Sequence, residues 1–450
     1  MRRRTVATLT ALAALALPAA SASADPNNNN SPKLRKAVSV QGIREHMAAW
    51  QAIANANNGN RLAGTSGHDA SAEYVAARLR AAGYTPQFQE FTYTFNGNRT
   101  APVLAEVGGP AYAAGFQFTT PGSLAAADSG DVTRPLFAVD LNFANPVAST
   151  SGCQATDFAG FPAGAIALIQ RGSCDFVVKV QNAINAGARA VILFNQGNGP
   201  DPTRFGLFNP ATTGDLPVLA ATFAVGQELA NGFTSGLTGT QVRVRVDIVS
   251  TVLPTRNVIA ETSGRKDNVI VVGAHLDGVE DGPGINDNGS GSGTILEIAE
   301  AMDKTKPRNA VRFIWFSAEE SGLLGSAYYV SQLSAAQRAD IAAMLNFDML
   351  ASPNFVRFVY DGDLSSFPGP VGGAPATSAV IEEIFLDYFE AQGLATAPTP
   401  FDGRSDYRDF IQAGIPAGGL FTGAEQIKTA AQAAVYGGAA GEQYLSLIHI

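Results

Sequence analysis

The stretch Asn268-Val269-Ile270-Val271-Val272-Gly273-Ala274-His275-Leu276-Asp277 is apolar at nearly every position up to Ala274 and then turns polar. A strand apolar on both faces is covered on both faces, which is the mark of a parallel sheet with a layer of helices on each side. Val311 to Phe316 and Ala343 to Phe347 repeat the pattern. Between these runs, Ile295, Ile298, Ala299 and Met302 fall on one helical face, and a second helix is predicted from Leu323 to Leu333. Strands alternating with helices give an α/β fold, a mostly parallel twisted sheet sandwiched by helices.

Polar residues stand where these strands end. His275 follows the first run directly, Glu319 and Glu320 follow the second after Ser317 and Ala318, and Asp348 follows the third. Asp287 lies in the loop that leads into the helix around Gly293. In open α/β sheets the loops at the carboxyl ends of the strands form the ligand crevice, so these five side chains converge. Carboxylates gathered without a nearby Lys or Arg repel one another unless a cation compensates them. Imidazole with carboxylates suits Zn²⁺, and one carboxylate can bridge two ions. Asp287, presented by a glycine-rich loop, is the natural bridge.

Upstream, the spacing of Ile43, Met47, Ile53, Tyr74, Val75, Leu79 and Ala82 is helical and ends at Gly83, and Phe88 to Phe95 alternates as a half-buried strand does. From about Gly97 to Gln241 the composition shifts to Gly, Pro, Thr and short β-rich runs with little charge, as a separate module would. Within it, Ala165 to Gln170 and Ala190 to Asn195 read as strands and Phe176 to Ala186 as a helix.

At the amino end, Arg2, Arg3 and Arg4 precede an apolar run from Val6 to Leu17 and the small residues Ala22, Ser23 and Ala24, the pattern of a removable export signal. Its loss leaves 27 Lys and Arg against 39 Asp and Glu, a formal charge of −12 that argues against a nucleic-acid or anionic-membrane partner. No later stretch approaches the roughly 20 apolar residues of a membrane span, so a secreted, extracellular protein is expected. In that oxidising setting Cys153 and Cys174, 21 residues apart, are expected to form a disulfide. The polar tract from Asp25 to Lys36, with four consecutive asparagines, is expected to be a flexible leader.

The segments His275-Leu276-Asp277, Asn286-Asp287-Asn288-Gly289-Ser290-Gly291, Glu319-Glu320-Ser321-Gly322-Leu323-Leu324-Gly325-Ser326 and Asn346-Phe347-Asp348-Met349 resemble the zinc aminopeptidases of peptidase family M28. Arg171-Gly172-Ser173-Cys174 and Phe176, with Lys179, Gly187 and Ala188, resemble the protease-associated (PA) domain. The resemblance divides the chain into a signal peptide (1–24), a leader (25–37), a peptidase domain in two parts (38–98 and 243–450) and a PA insert (99–242). It implies two Zn²⁺ ions: His275 and Asp348 hold one, Glu320 the other, and Asp287 bridges. Glu319 is the implied general base and Asp277 the carboxylate that orients the histidine ligand. Gly403, Arg404 and Phe421, in Gly403-Arg404-Ser405-Asp406 and Gly418-Gly419-Leu420-Phe421-Thr422-Gly423, resemble substrate-pocket segments, Arg404 meeting the substrate backbone and Phe421 an apolar amino-terminal side chain. Peptides with free amino termini are the implied partners.

Family members continue into a segment like Tyr-Asp-x-x-Tyr-His, whose histidine completes the second zinc site. Here Gly441-Glu442-Gln443-Tyr444 leads into Leu445 to Ile450, with His449 in an apolar context. The expectation is a truncated carboxyl terminus or a foreign tail, and an incomplete second site. His46 and His68 are expected to be structural or exposed. Two other readings stay open: a PA-domain binding protein on an impaired hydrolase scaffold, and a related zinc exopeptidase such as a carboxypeptidase.

Overall fold

The computed structural model describes residues 31–445 apart from 116, 121–128, 197–215, 281, 304, 368, 370–372 and 425. The expected signal peptide and the tail with His449 lie outside the described residues.

The leader is not wholly irregular, because Ser31–Ala37 forms a short helix, α1. Contacts made elsewhere hold it: Leu34 packs against the core of the catalytic half, and the Arg35 guanidinium lies 5.4 Å from the centre of the Tyr388 ring. Two helices, α2 (Val40–Ala56) and α3 (Ser66–Ala81), follow, separated by a turn that interrupts the helical spacing expected to run through to Gly83. Ser39 caps α2, its hydroxyl accepting the Gly42 N–H at 2.9 Å.

A long antiparallel ribbon joins the two halves of the molecule. Strand β1 (Gln87–Glu106) pairs with a later strand, Gly236–Glu261, in a register from Gln87 opposite Ile259 to Glu106 opposite Val242. The register slips between Asn98 and Val103, where composition places the start of the insert. On the return strand Val242, Val244 and Val246 enter the core of the insert, while Val258 and Ala260 enter that of the catalytic half. One unbroken strand serves both cores, so the domain boundary implied at 242/243 crosses continuous structure.

The insert adds β2 (Phe118–Thr119), β3 (Gly130–Val139), β4 (Ile166–Gln170), β5 (Ala190–Phe194) and β6 (Val218–Ala221), with helices α4 (Phe176–Asn185) and α5 (Phe223–Ala230). Strands β3 to β6 are parallel, and every residue of β4 and β5 is buried because each strand feeds one cluster on either face. Cys153 and Cys174 form a disulfide with Cα atoms 5.9 Å apart.

The return strand, β7, pairs antiparallel with β9 (Asn309–Phe316), which lies parallel to β8 (Arg265–His275). Beyond β8 come β10 (Ile341–Phe347), then β13 (Ala417–Phe421), β11 (Phe358–Tyr360) and β12 (Ala397–Thr399). In β9 alternation divides four large residues between layers: Phe313 and Trp315 pack with α2, α3 and α6 (Gly289–Ala301), Ile314 and Phe316 with α7 (Leu324–Ser331) and α8 (Tyr407–Gln412). This is the double-sided burial that the apolar runs imply.

His68, in the first turn of α3, is fully buried, and neither ring nitrogen has a hydrogen-bond partner. Burial, with the charges of Arg61 and Arg256, pushes it down to about 3. The unfolded chain takes up a proton below about pH 6.5 and the native chain does not until about pH 3, so stability is full above 6.5 and falls as pH drops through that window. From pH 6.5 to 5 the loss should be about 2 kcal/mol. Urea denaturation of wild type and His68→Leu at pH 7 and pH 5 should show the variant losing about that much less, and equal losses would contradict this account.

Candidate active site

The three parallel strands that lie side by side in the order β10, β8, β9 end at one edge of the sheet. His275 closes β8, Glu319 and Glu320 follow β9, and Asp348 follows β10. Asp287 reaches the same place from the loop before α6, whose start is held against the sheet by Asn288. The Asn288 side chain accepts the Gly291 N–H at 2.9 Å and the Met349 N–H at 3.2 Å, and donates to the Phe347 carbonyl at 2.9 Å. Gly291 permits this approach, since a Cβ there would lie 2.1 Å from the Phe347 carbonyl oxygen.

His275 Nε2 lies 3.1 Å from Asp287 Oδ1, 3.3 Å from Asp348 Oδ1 and 3.8 Å from Glu319 Oε2. None of these contacts has hydrogen-bond alignment, and Nε2 is left buried without a partner, as are Glu320 Oε1 and Asp348 Oδ1. Two groups of three ligand atoms, from His275, Asp287 and Glu320 and from His275, Glu319 and Asp348, each lie within 4.8 Å of one another. Orphaned atoms on one imidazole and two carboxylates form a nitrogen and oxygen donor set that suits zinc.

The electrostatics agree. Burial pushes Glu319 well above the usual carboxylate range, with Glu320 and Asp348 adding to it and His275 opposing. Burial likewise raises Glu320, reinforced by Asp287, and Asp287 itself. Burial works against a charged His275, yet Glu319 and Asp348 outweigh it and hold the ring well above its ordinary value. The arrangement calls for positive charge at its centre.

Asp277 departs from expectation. Its carboxylate stands 3.8 Å from His275 Nδ1, whereas its own main-chain carbonyl oxygen is 3.1 Å from that nitrogen. The carboxylate instead accepts the main-chain N–H groups of Glu319 at 3.2 Å and Glu320 at 3.4 Å, so it sets where the two glutamates begin. His275 takes part in both ligand groups: one joins it to Asp348, the pairing that the resemblance implies, and the other sets it beside Asp287 and Glu320.

Gly403, Arg404 and Phe421 are carried to the same rim. The Gly403 N–H donates to the Tyr407 hydroxyl at 2.8 Å, and Arg404 is exposed with its charge favouring the ionised forms of Asp287 and Asp348. Phe421 ends β13, whose Leu420 pairs with Phe347 beside Asp348, and it stacks on Phe358 with ring centres 5.9 Å apart.

Three neighbours escaped the sequence reading. The Ser405 hydroxyl donates to Asp348 Oδ2 at 2.6 Å and accepts from the Asn346 amide at 2.8 Å. Asp406 is fully buried, and burial pushes it up to about 7. Both residues stand in the segment read for its arginine, and their position beside Arg404 was the available signal. Arg61, also fully buried, donates to the carbonyls of Leu276, Pro283 at 2.8 Å and Gly284 at 2.5 Å. Burial brings it down to about 10 against the pull of Asp277, Glu320 and Asp287.

Residues 257–441 match peptidase family M28, and residues 132–229 match the PA domain. An aminopeptidase of Pseudomonas aeruginosa is 45% identical over 425 residues, covering 92% of this chain and 76% of the relative. Among solved structures, an aminopeptidase from an Aneurinibacillus species superposes with a TM-score of 0.63 at 26% identity, covering 87% of this chain and 86% of its own. A zinc aminopeptidase from Bacillus subtilis gives a TM-score of 0.60 at 25% identity and 85% coverage of both chains. With a family match over the strands that carry His275, Glu319 and Asp348, and a close relative aligned across nearly the whole chain, this protein belongs to peptidase family M28 and carries a PA domain.

Proposed function

We propose that this chain is an exported zinc aminopeptidase that removes apolar residues from the amino termini of peptides. The observation that carries the reading is the buried convergence of His275 Nε2 with four carboxylates at the ends of three parallel strands, in a chain closely related to an aminopeptidase. His275 with Asp348 would hold one zinc and Glu320 the other, with Asp287 shared between them, a reading supported by His275 Nε2 lying 3.3 Å from Asp348 Oδ1 and 3.1 Å from Asp287 Oδ1. Of the described histidines, His46 stands with Glu297 and Glu300 and His68 is enclosed in the core, so no second imidazole from the described residues joins Glu320.

Zinc, when bound, supplies Lewis-acid polarisation of the peptide carbonyl and lowers the pKa of water. The chain's own residues do the rest. Glu319, buried and raised in pKa, takes the proton of the attacking water and returns it to the departing amine. Ser405 fixes the Asp348 carboxylate. Carboxylates at the rim favour a protonated substrate amine, and Phe421 offers an apolar wall. Export is supported by the apolar run from Val6 to Leu17, and no described helix is long and apolar enough to cross a membrane.

Hydrolysis of leucyl- and aspartyl-p-nitroanilide by the purified chain, before and after chelation and zinc return, tests the reading. Leucyl release should exceed aspartyl release at least tenfold, vanish on chelation and return with zinc. Asp287→Asn should lower zinc affinity at least 100-fold, since losing a ligand exceeds the 10–100-fold typical of its supporting partners. A zinc-loaded chain that turns over no aminoacyl anilide would favour the binding-protein reading.

A further inference from the structure

We propose that His46, Glu297 and Glu300 form a second, structural metal site, separate from the one around His275, that binds one divalent cation of the zinc class. Glu297 and Glu300 are three apart on α6 and share a face of that helix. His46, on α2, projects between them, with Nε2 3.8 Å from Glu297 Oε2 and 3.9 Å from Glu300 Oε1. These gaps are too long for hydrogen bonds, and Nε2 is left without a partner on a side chain only 1% exposed.

The other contacts of each group aim it at this point. His46 Nδ1 is 2.8 Å from the Tyr74 hydroxyl, which leaves Nε2 to face the carboxylates. The Ser39 main-chain N–H and hydroxyl both donate to Glu297 Oε1 at 3.0 Å, so Oε2 is the oxygen turned to the histidine. Gly42 makes room for it, since a Cβ there would lie 2.2 Å from Glu297 Oε2. Arg78 donates to both oxygens of Glu300, at 2.6 and 2.5 Å, but each carboxylate oxygen keeps a second lone pair.

Two carboxylates against one guanidinium leave a net negative charge around a ring that burial keeps below its ordinary pKa, Arg78 acting in the same direction and Glu300, Glu297 and Glu45 opposing. In the tautomer that a bound cation selects, Nδ1–H donates to the Tyr74 hydroxyl and the Nε2 lone pair faces two anionic oxygens. A cation between them removes that repulsion. Atoms bound about 2.0–2.2 Å from zinc lie about 3.3–3.6 Å apart, so shifts of a few tenths of an ångström bring His46 into range of each carboxylate, and the two carboxylate oxygens, within 4.8 Å of each other, close on the ion with water in the remaining position. The imidazole disfavours calcium and magnesium, which prefer oxygen alone. Glu297 is about 13 Å along α6 from Asn288, so this ion would clamp α2 to the helix that presents Asp287 without entering the catalytic cluster.

Zinc per chain, measured by plasma mass spectrometry after equilibrium dialysis, should fall by one in Glu297→Gln while leucyl-anilide hydrolysis is retained. In an Asp287→Asn/Glu320→Gln background, zinc should still raise the melting temperature by several degrees, and adding Glu297→Gln should abolish that shift without changing the melting temperature of the chelated chain. Equal zinc content in Glu297→Gln and wild type, or no zinc-induced shift in the Asp287→Asn/Glu320→Gln chain, would overturn the proposal. Because the readout is a difference of one ion, it stands apart from how many ions the catalytic cluster holds.

Discussion

Replacing Glu319 with Gln is expected to lower kcat for leucyl-p-nitroanilide by about a thousandfold, within the 10²–10⁴ range that general acid–base catalysis supplies. KM and zinc content should change little. The amide keeps the shape of the side chain and its main-chain N–H to Asp277 but has no basic oxygen to take a proton. The carboxylate suits that role because burial raises its affinity for the proton. Zinc analysis is the decisive companion, because Glu319 also falls in one of the two groups able to hold an ion with His275. If the variant lost zinc in parallel with activity, Glu319 would be a ligand and the assignment as base would fall.

How much of this site was legible depended on where each residue sits along the chain. His275, Glu319, Glu320 and Asp348 were readable because each ends an apolar run, and a strand buried on both faces leaves only its end free to present a polar group. Asp287 was readable from its glycine-rich loop. Arg61 was not, since its partners lie more than 200 residues away and nothing in the turn between α2 and α3 marks a buried cation. The orienting role given to Asp277 followed from its nearness to His275, yet its carboxylate serves residues over 40 positions downstream. Composition marked the insert but not its parallel strands, because runs as short as Val218–Ala221 carry too little periodicity to show direction. The leader's polarity likewise concealed α1, which rests on Leu34 and Arg35 reaching surfaces built by distant residues.

Arg61→Met should destabilise the chain by about 3–5 kcal/mol, the usual consequence of removing one partner from a buried charge network. The methionine matches much of the volume of arginine but donates no hydrogen bond. The carbonyls of Leu276, Pro283 and Gly284 would be stranded in the interior, and Asp277, Glu320 and Asp287 would lose the buried guanidinium that faces them all. Two of those carbonyls belong to the loop that carries Asp287, so local order at the metal cluster should suffer with global stability. Arg61→Lys should recover part of the loss, since it restores the charge but not the planar fork that reaches three acceptors at once. Zinc supplies positive charge to the same acidic cluster, so the defect should be larger in chelated protein than in zinc-loaded protein. Urea midpoints for wild type, Arg61→Lys and Arg61→Met, each with and without chelator, separate these effects. A Met variant as stable as wild type in chelator would show that the acidic cluster does not depend on Arg61 for its counter-charge.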